Sequence, residues 1–199
     1  MSRIYYAHLL ICIRRPVEAL TQGKLAVELD PLNPFILELY SGVLRSTGQF
    51  QEALDYAEKA NLTHGKAIAQ MKLALLALGE FDKAWKYRKI AISNYFSEEI
   101  VQAIDLIYKE QGYHAADKEI THQFELLAQE IYVSFNTLAS RHYAIGAYSK
   151  ALDDLEKGYE MHEPFMPYIA AGQNGFPNLY DSTRFIAIVE KMNLPLPVD

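Results

Sequence analysis

Histidines are the side chains in this chain whose type best suits metal ligation or proton transfer, and they stand at positions 8, 64, 114, 122, 142 and 162. A helix brings two imidazoles onto one face at a spacing of four residues, and no pair here has that spacing. His114 and His122 lie eight apart with Glu119 between them, so they graze one face and are read as surface or core histidines. The acidic pairs are Glu98-Glu99, Asp153-Asp154 and Glu160/Glu163. The first opens a helix, where negative charge suits the dipole. Asp153 and Asp154 diverge by about 100° on a helix, so they do not converge as an acid and a base and are read as a solvated face. Cys12 is the single cysteine, which rules out an internal disulfide and a cysteine metal cluster; it is expected as a small buried residue. A phosphate loop and a Gly-x-Ser-x-Gly nucleophile turn are both missing. Gly172-Gln173-Asn174-Gly175 is read as a turn, and the glycosylation-like Asn61-Leu62-Thr63 falls in a helix-turn. The expectation is a non-catalytic chain with no cofactor and no metal.

The chain has 199 residues, half of them apolar, and a net charge of −6. That length suits one solenoid domain. Lys and Arg never run beyond two in a row, and the acidic balance disfavours nucleic acid and anionic membrane as partners. Residues 4–13 are apolar after Arg3, but they are too short to span a membrane and no small-residue cleavage site follows. They are expected to be a first helix. The expected location is cytoplasmic, or periplasmic where the chain is fused to a transmembrane regulator.

The elements that must position these side chains repeat. Glu18-Ala19-Leu20…Ala26…Leu29-Asp30-Pro31, Gly48-Gln49-Phe50…Ala53…Ala60, Gly79-Glu80-Phe81…Ala84…Ala91 and Gly146-Ala147-Tyr148…Ala151…Gly158 share one pattern. A period near ~34 residues is the mark of stacked helix pairs. Gly ends a helix by accepting a left-handed backbone. The aromatic opens the next helix. Alanines seven apart share a face and let two helices approach to about 8–10 Å. Ala53, Ala60, Ala84, Ala91 and Ala151 are therefore expected at tight crossings. Pro34 fits a first helical position.

The pattern resembles the tetratricopeptide repeat (TPR) family. The resemblance implies an all-α, right-handed α-solenoid of about five helix pairs with a C-terminal capping helix. The pairs fall at about 1–33, 34–64, 65–95, 96–130 and 132–163, followed by an irregular Pro/Gly segment and a capping helix over 164–199. Ser41 replaces a usual Gly, and the fourth pair fits only with one residue deleted around Gly112-Tyr113-His114. Ala151-Leu152…Glu163-Pro164 and Arg184-Phe185…Met192-Asn193-Leu194-Pro195 are similar to the C-terminal repeat regions of bacterial regulators, which follow a winged-helix domain, a nucleotide cyclase or a kinase. Ser182-Thr183 departs from the Asp-Pro usual there.

What the resemblance implies for function is a binding surface rather than a catalytic pocket. The family's concave wall maps to first-helix positions, giving Glu38, Arg45, Lys66, Leu73, Leu76, Gln102, Lys109, Asn136 and Tyr143 as candidate partner-binding residues. Leu73 and Leu76 would form an apolar centre, flanked by Arg45 and Lys109, with Glu38 and Gln102 as polar rim. The family's carboxylate-binding clamp maps to Ile4, His8, Leu39, Lys66 and Gln70, of which only Lys66 agrees, so a clamp of that kind is not expected. The expected role is a non-catalytic scaffold for a protein or peptide, as part of a bacterial signalling or transcription regulator. The alternative is a ligand-sensing domain that controls an attached output domain. Tyr5 and Leu9 on the first helix lack a covering helix, which points to a homodimer through this end or to a helix upstream of it.

Overall fold

The computed structural model describes residues 1–64, 67–172 and 175–196. Among these the chain is all-α, with eleven α-helices, short 3-10 turns and no strand. The helices are α1 (Ser2–Cys12), α2 (Pro16–Leu29), α3 (Pro34–Ser46), α4 (Phe50–His64), α5 (Ile68–Ala77), α6 (Phe81–Ile92), α7 (Glu98–Gln111), α8 (Tyr113–Glu130), α9 (Phe135–Ala144), α10 (Tyr148–Glu160) and α11 (Thr183–Lys191). The chain divides into two compact units. Of the described residues, unit 1 holds Met1–Ala91 and the short segment that begins at Ala170, and unit 2 holds Ile92–Ile169 and the segment 176–196.

Local chemistry sets the helix boundaries. Asn33 caps α3: its side-chain oxygen accepts from the Phe35 and Ile36 amides at 3.1 and 3.3 Å, and Pro34 fills the first helical position, where no N–H is needed. The first helix of a pair ends in a six-residue closure. Gly48 and Gly79 take φ of +81° and +77°, and the following amides of Gln49 and Glu80 bond back to Leu44 and Leu75 carbonyls, each at 2.9 Å. This consumes carbonyls that the helix end would otherwise leave unpaired. The turn after α1 closes the same way without glycine: Arg14 takes φ +57° and the Arg15 amide bonds Leu10 O at 2.8 Å. The fourth pair is different. Only Gly112 separates α7 from α8, whereas three residues separate the helices of the neighbouring pairs, so the connection is two residues shorter at the place where the sequence pattern fits only with a deletion.

Within unit 1, α1 packs on α2, α3 on α4, and α3 on both α1 and α5. Ala19, Ala26, Ala53, Ala60 and Ala84 are buried at 0–2% exposure, as close helix approach requires, while Ala91 is only half-buried. Ser41 sits where α3 meets α4 and donates to Ala53 O at 2.7 Å, so its hydroxyl is satisfied inside the crossing. Gly23 has a similar role: a Cβ there would lie 2.5 Å from Tyr40 Cδ2. The missing side chain admits the Tyr40 ring, which meets Tyr56 edge-on at 4.9 Å. Burial pushes the Tyr40 hydroxyl up to about 12. Tyr5, Tyr6 and Leu9 of α1 are exposed.

Within unit 2, α7 packs on α8, α8 on α9, α9 on α10, and α11 on α10. Ile104, Ile120, Phe124, Leu155, Phe185 and Ile188 form its core. Arg184 fixes α11, donating to both Glu156 oxygens at 2.8 and 2.7 Å and to Asp153 at 2.6 Å. The Arg184-Phe185 pair thus has two tasks: the arginine ties α11 to α10, and the fully buried phenyl ring fills the core beneath it.

Candidate ligand-binding surface

The first helices of unit 1 lie side by side, and their facing residues converge on Gly42. A Cβ at Gly42 would stand 3.5 Å from His8 Cε1 of α1 and 3.8 Å from Gln70 Nε2 of α5. One turn along α3 is Arg45, whose Nη2 reaches Gln70 Oε1 at 3.5 Å, the outer limit of a hydrogen bond. Arg45 Nε is fully covered and has no hydrogen-bond partner. Desolvation brings this guanidinium down to about 10, so it stays charged at neutral pH. His8 Nε2 donates to Leu39 O at 3.0 Å, which places the proton on Nε2 in the neutral ring. Burial, and then the Arg45 charge, lower the His8 pKa against the opposing pull of Leu39 O. Neutral imidazole is therefore the form held beside Arg45.

Further along α3, Phe35 and Glu38 continue the stripe of Gly42 and Arg45 at helical spacing. They border a cleft of about 420 Å³ that Leu32, Asn33, Pro34, Ala60 and Ala67 also line. Leu73 and Leu76 of α5 are half-buried, which leaves part of each apolar side chain at the surface. Lys66 lies outside the described residues.

The candidates in unit 2 have other occupations. Gln102 is exposed and donates to Glu98 at 3.0 Å. Lys109 pairs with Asp105 at 2.8 Å one turn back. At Asn136 it is the backbone N–H, not the side chain, that donates to Glu163, at 2.9 Å. The Tyr143 hydroxyl accepts from the Asn178 amide at 3.1 Å, and its ring meets Phe176 edge-on at 5.1 Å. Tyr143 thus holds the Pro/Gly segment against α9.

One acidic residue read from sequence as part of a solvated face is buried. Asp154 is 6% exposed and lies 2.6 Å from His142 Nδ1, while Glu125 lies 3.0 Å from His142 Nε2 and receives Lys150 at 2.6 Å. His142 has a carboxylate on each nitrogen, so neither remains for a substrate, and the array ties α8, α9 and α10 together. Glu163 is also buried. It accepts from the Tyr132 hydroxyl and the Phe135 amide, each at 2.6 Å, and from Asn136. Cys12 is buried as expected, and desolvation pushes its thiol up to about 11. Among the described residues no three His, Cys, Asp or Glu side chains gather as a metal site, and no helix is long and apolar enough to cross a membrane.

No protein-family profile matches the chain, and no curated protein matches it.

Proposed function

We propose that the chain is a tetratricopeptide-type helical-repeat scaffold that binds a protein or peptide segment along the first helices of unit 1. One observation carries this reading: α1, α3 and α5 from successive pairs bring His8, Gly42, Arg45 and Gln70 to one place. A surface assembled from equivalent positions of stacked repeats suits an extended segment, because each repeat supplies one set of contacts. Phe35, Leu73 and Leu76 offer partly exposed apolar area for anchoring, and Glu38 offers a polar edge.

The finer reading, a C-terminal region of a bacterial signalling or transcription regulator, rests on the resemblance at Arg184-Phe185 and Met192-Asn193-Leu194-Pro195. In that setting the surface would sense a ligand and an attached output domain would respond; the enclosed, charged Arg45 favours this variant.

The test is selection of a random peptide library on the purified protein, followed by affinity measurements with Phe35→Ser and Glu38→Lys. Weaker binding by both variants, with crosslinks from the peptide to α3 and α5, is the expected result. Peptides that bind both variants as tightly as wild type and crosslink to α2 and α4 would overturn the proposal.

A further inference from the structure

Arg45 has a charge that no described residue balances. Among the described residues no carboxylate lies within ion-pair distance, Nε is covered and unpartnered, and the only polar contact is the long one from Nη2 to Gln70. Most enclosed cations in folded proteins are paired, because an isolated one forfeits its hydration without return. Two other buried groups here follow that rule. Arg141 meets Asp117, and His142 meets Asp154 and Glu125. Arg45 meets no carboxylate among the described residues, and it stands on the face where three first helices meet. Its Nη1 is neither buried nor bonded to protein, so the end of the guanidinium still reaches solvent.

We infer that this face holds a binding site for one carboxylate, taken end-on by Nη1 and Nη2 of Arg45 with Gln70 Nε2 as a further donor. The guanidinium fork matches the two oxygens of a carboxylate. Gln70 already turns Oε1 toward Arg45, which leaves Nε2 on the other side of the amide as donor. Neutral His8 adds no charge. One positive charge in an enclosed place balances one negative charge; a phosphate dianion would leave one charge uncompensated. The charge of the site comes from Arg45, which stands at none of the positions of the family's carboxylate clamp, whereas the uncharged Gln70 and His8 stand at two of them.

The carboxylate could belong to an acidic side chain of a bound peptide, to a peptide's own C-terminus, or to a small acid. The first two sources rest on the peptide-binding reading above; the chemistry at Arg45 does not. Acetate is therefore the first probe. Titration of the intact protein with sodium acetate against sodium chloride, followed by the ¹⁵Nε–¹Hε signal of Arg45, should show a saturable shift with acetate alone. Gln70→Glu places a carboxylate beside Nη2 from within, so it should raise the denaturation midpoint and abolish the acetate response. Arg45→Met removes the uncompensated charge. It should unfold no more easily than wild type and should bind a selected acidic peptide about 10-fold or more weaker. Peptides with an internal Glu and an amidated end, against neutral peptides with a free end, separate the two peptide sources.

An Arg45 signal that acetate does not move, together with a Gln70→Glu midpoint at or below wild type, would overturn the site. Selected peptides that then still bind through α3 and α5 would leave the scaffold reading standing without it. A saturable acetate shift with no peptide bound would establish the site and remove the scaffold reading.

Discussion

Removal of the Glu163 carboxylate is the most direct test of how unit 2 is held together. A helix start leaves its first amides without intrahelical partners. At α9 each one can be accounted for. Phe135 and Asn136 donate to the two oxygens of Glu163 at 2.6 and 2.9 Å, Thr137 donates to Ser134 Oγ at 3.2 Å, and Leu138 makes the first helical bond to Ser134 O at 3.1 Å. Glu163 thus does for two amides what Ser134 does for one, from 28 and 27 residues away. Glu163→Ala removes both of these bonds and the one from Tyr132. Tyr132 is exposed, so water replaces that partner at little loss. The two amides are half-buried, and charge-assisted bonds of this kind contribute about 1.5–3 kcal/mol each, while a single lost cap costs about 1 kcal/mol. The expected destabilisation is roughly 2–4 kcal/mol, allowing for partial access of water to the helix end. Glu163→Gln keeps one acceptor oxygen but turns an NH₂ toward an amide donor, so it should fall between wild type and the alanine variant. Urea unfolding measures the loss, and amide hydrogen exchange at Phe135 and Asn136 locates it. An alanine variant within 0.5 kcal/mol of wild type on the scale of ordinary surface changes, or faster exchange spread evenly over unit 2, would refute the assignment of Glu163 as the cap.

Gly23→Ala drives a Cβ into the buried Tyr40 ring at 2.5 Å; thermal unfolding should show a loss of roughly 1–3 kcal/mol, as overpacking does, and Tyr40→Leu should relieve much of it. Ala84→Leu, at a site with no exposure, should carry a similar penalty of roughly 1–3 kcal/mol, and an unchanged midpoint would show that this crossing has slack. Acid titration of stability should expose two opposite contributions in unit 2. Lys150 first and His142 next hold Glu125 below its ordinary value, so its contribution is complete above the unfolded value near 4.5 and is lost as pH falls through the lowered one. Burial raises Asp154 above 3.8, so that group favours the folded state at low pH and this advantage fades as pH rises through the raised value. Lys150→Met should flatten the first effect and Asp154→Asn the second; profiles that superimpose on wild type would contradict both. Cys12, with its thiol pushed up to about 11, should react with a thiol reagent at pH 8 only at the rate of unfolding, and prompt reaction in the folded protein would contradict its burial.

What could be read from sequence alone has a local cause. Gly48 and Gly79 end helices because the closure needs a left-handed residue within one turn. Asn33-Pro34 starts one because cap and first residue are neighbours. Ala53 and Ala60 mark a crossing because residues seven apart share a face. The odd spacing at Gly112 was visible as a deletion, and the structure turned it into a one-residue connection. The same local logic has limits even at turns: Arg14 takes the left-handed role without the glycine that announces it.

Of the candidate surface, sequence position placed Glu38, Arg45, Leu73 and Leu76 on first helices, since register follows from the repeat. It could not tell which of them were already engaged. Asp154 looked like half of a solvated pair because its neighbour Asp153 is exposed; its partner His142 stands twelve residues earlier on another helix. Tyr143 meets its partner Asn178 thirty-five residues later, and Glu163 reaches back across a whole helix pair. Gln70 comes to Arg45 from twenty-five residues away. Helix type, length and ends are fixed by residues within a turn or two of one another, so one strand of sequence contains them. Whether a charge is paired or left alone depends on which side chains packing brings across a helix interface, and only the tertiary structure decides that.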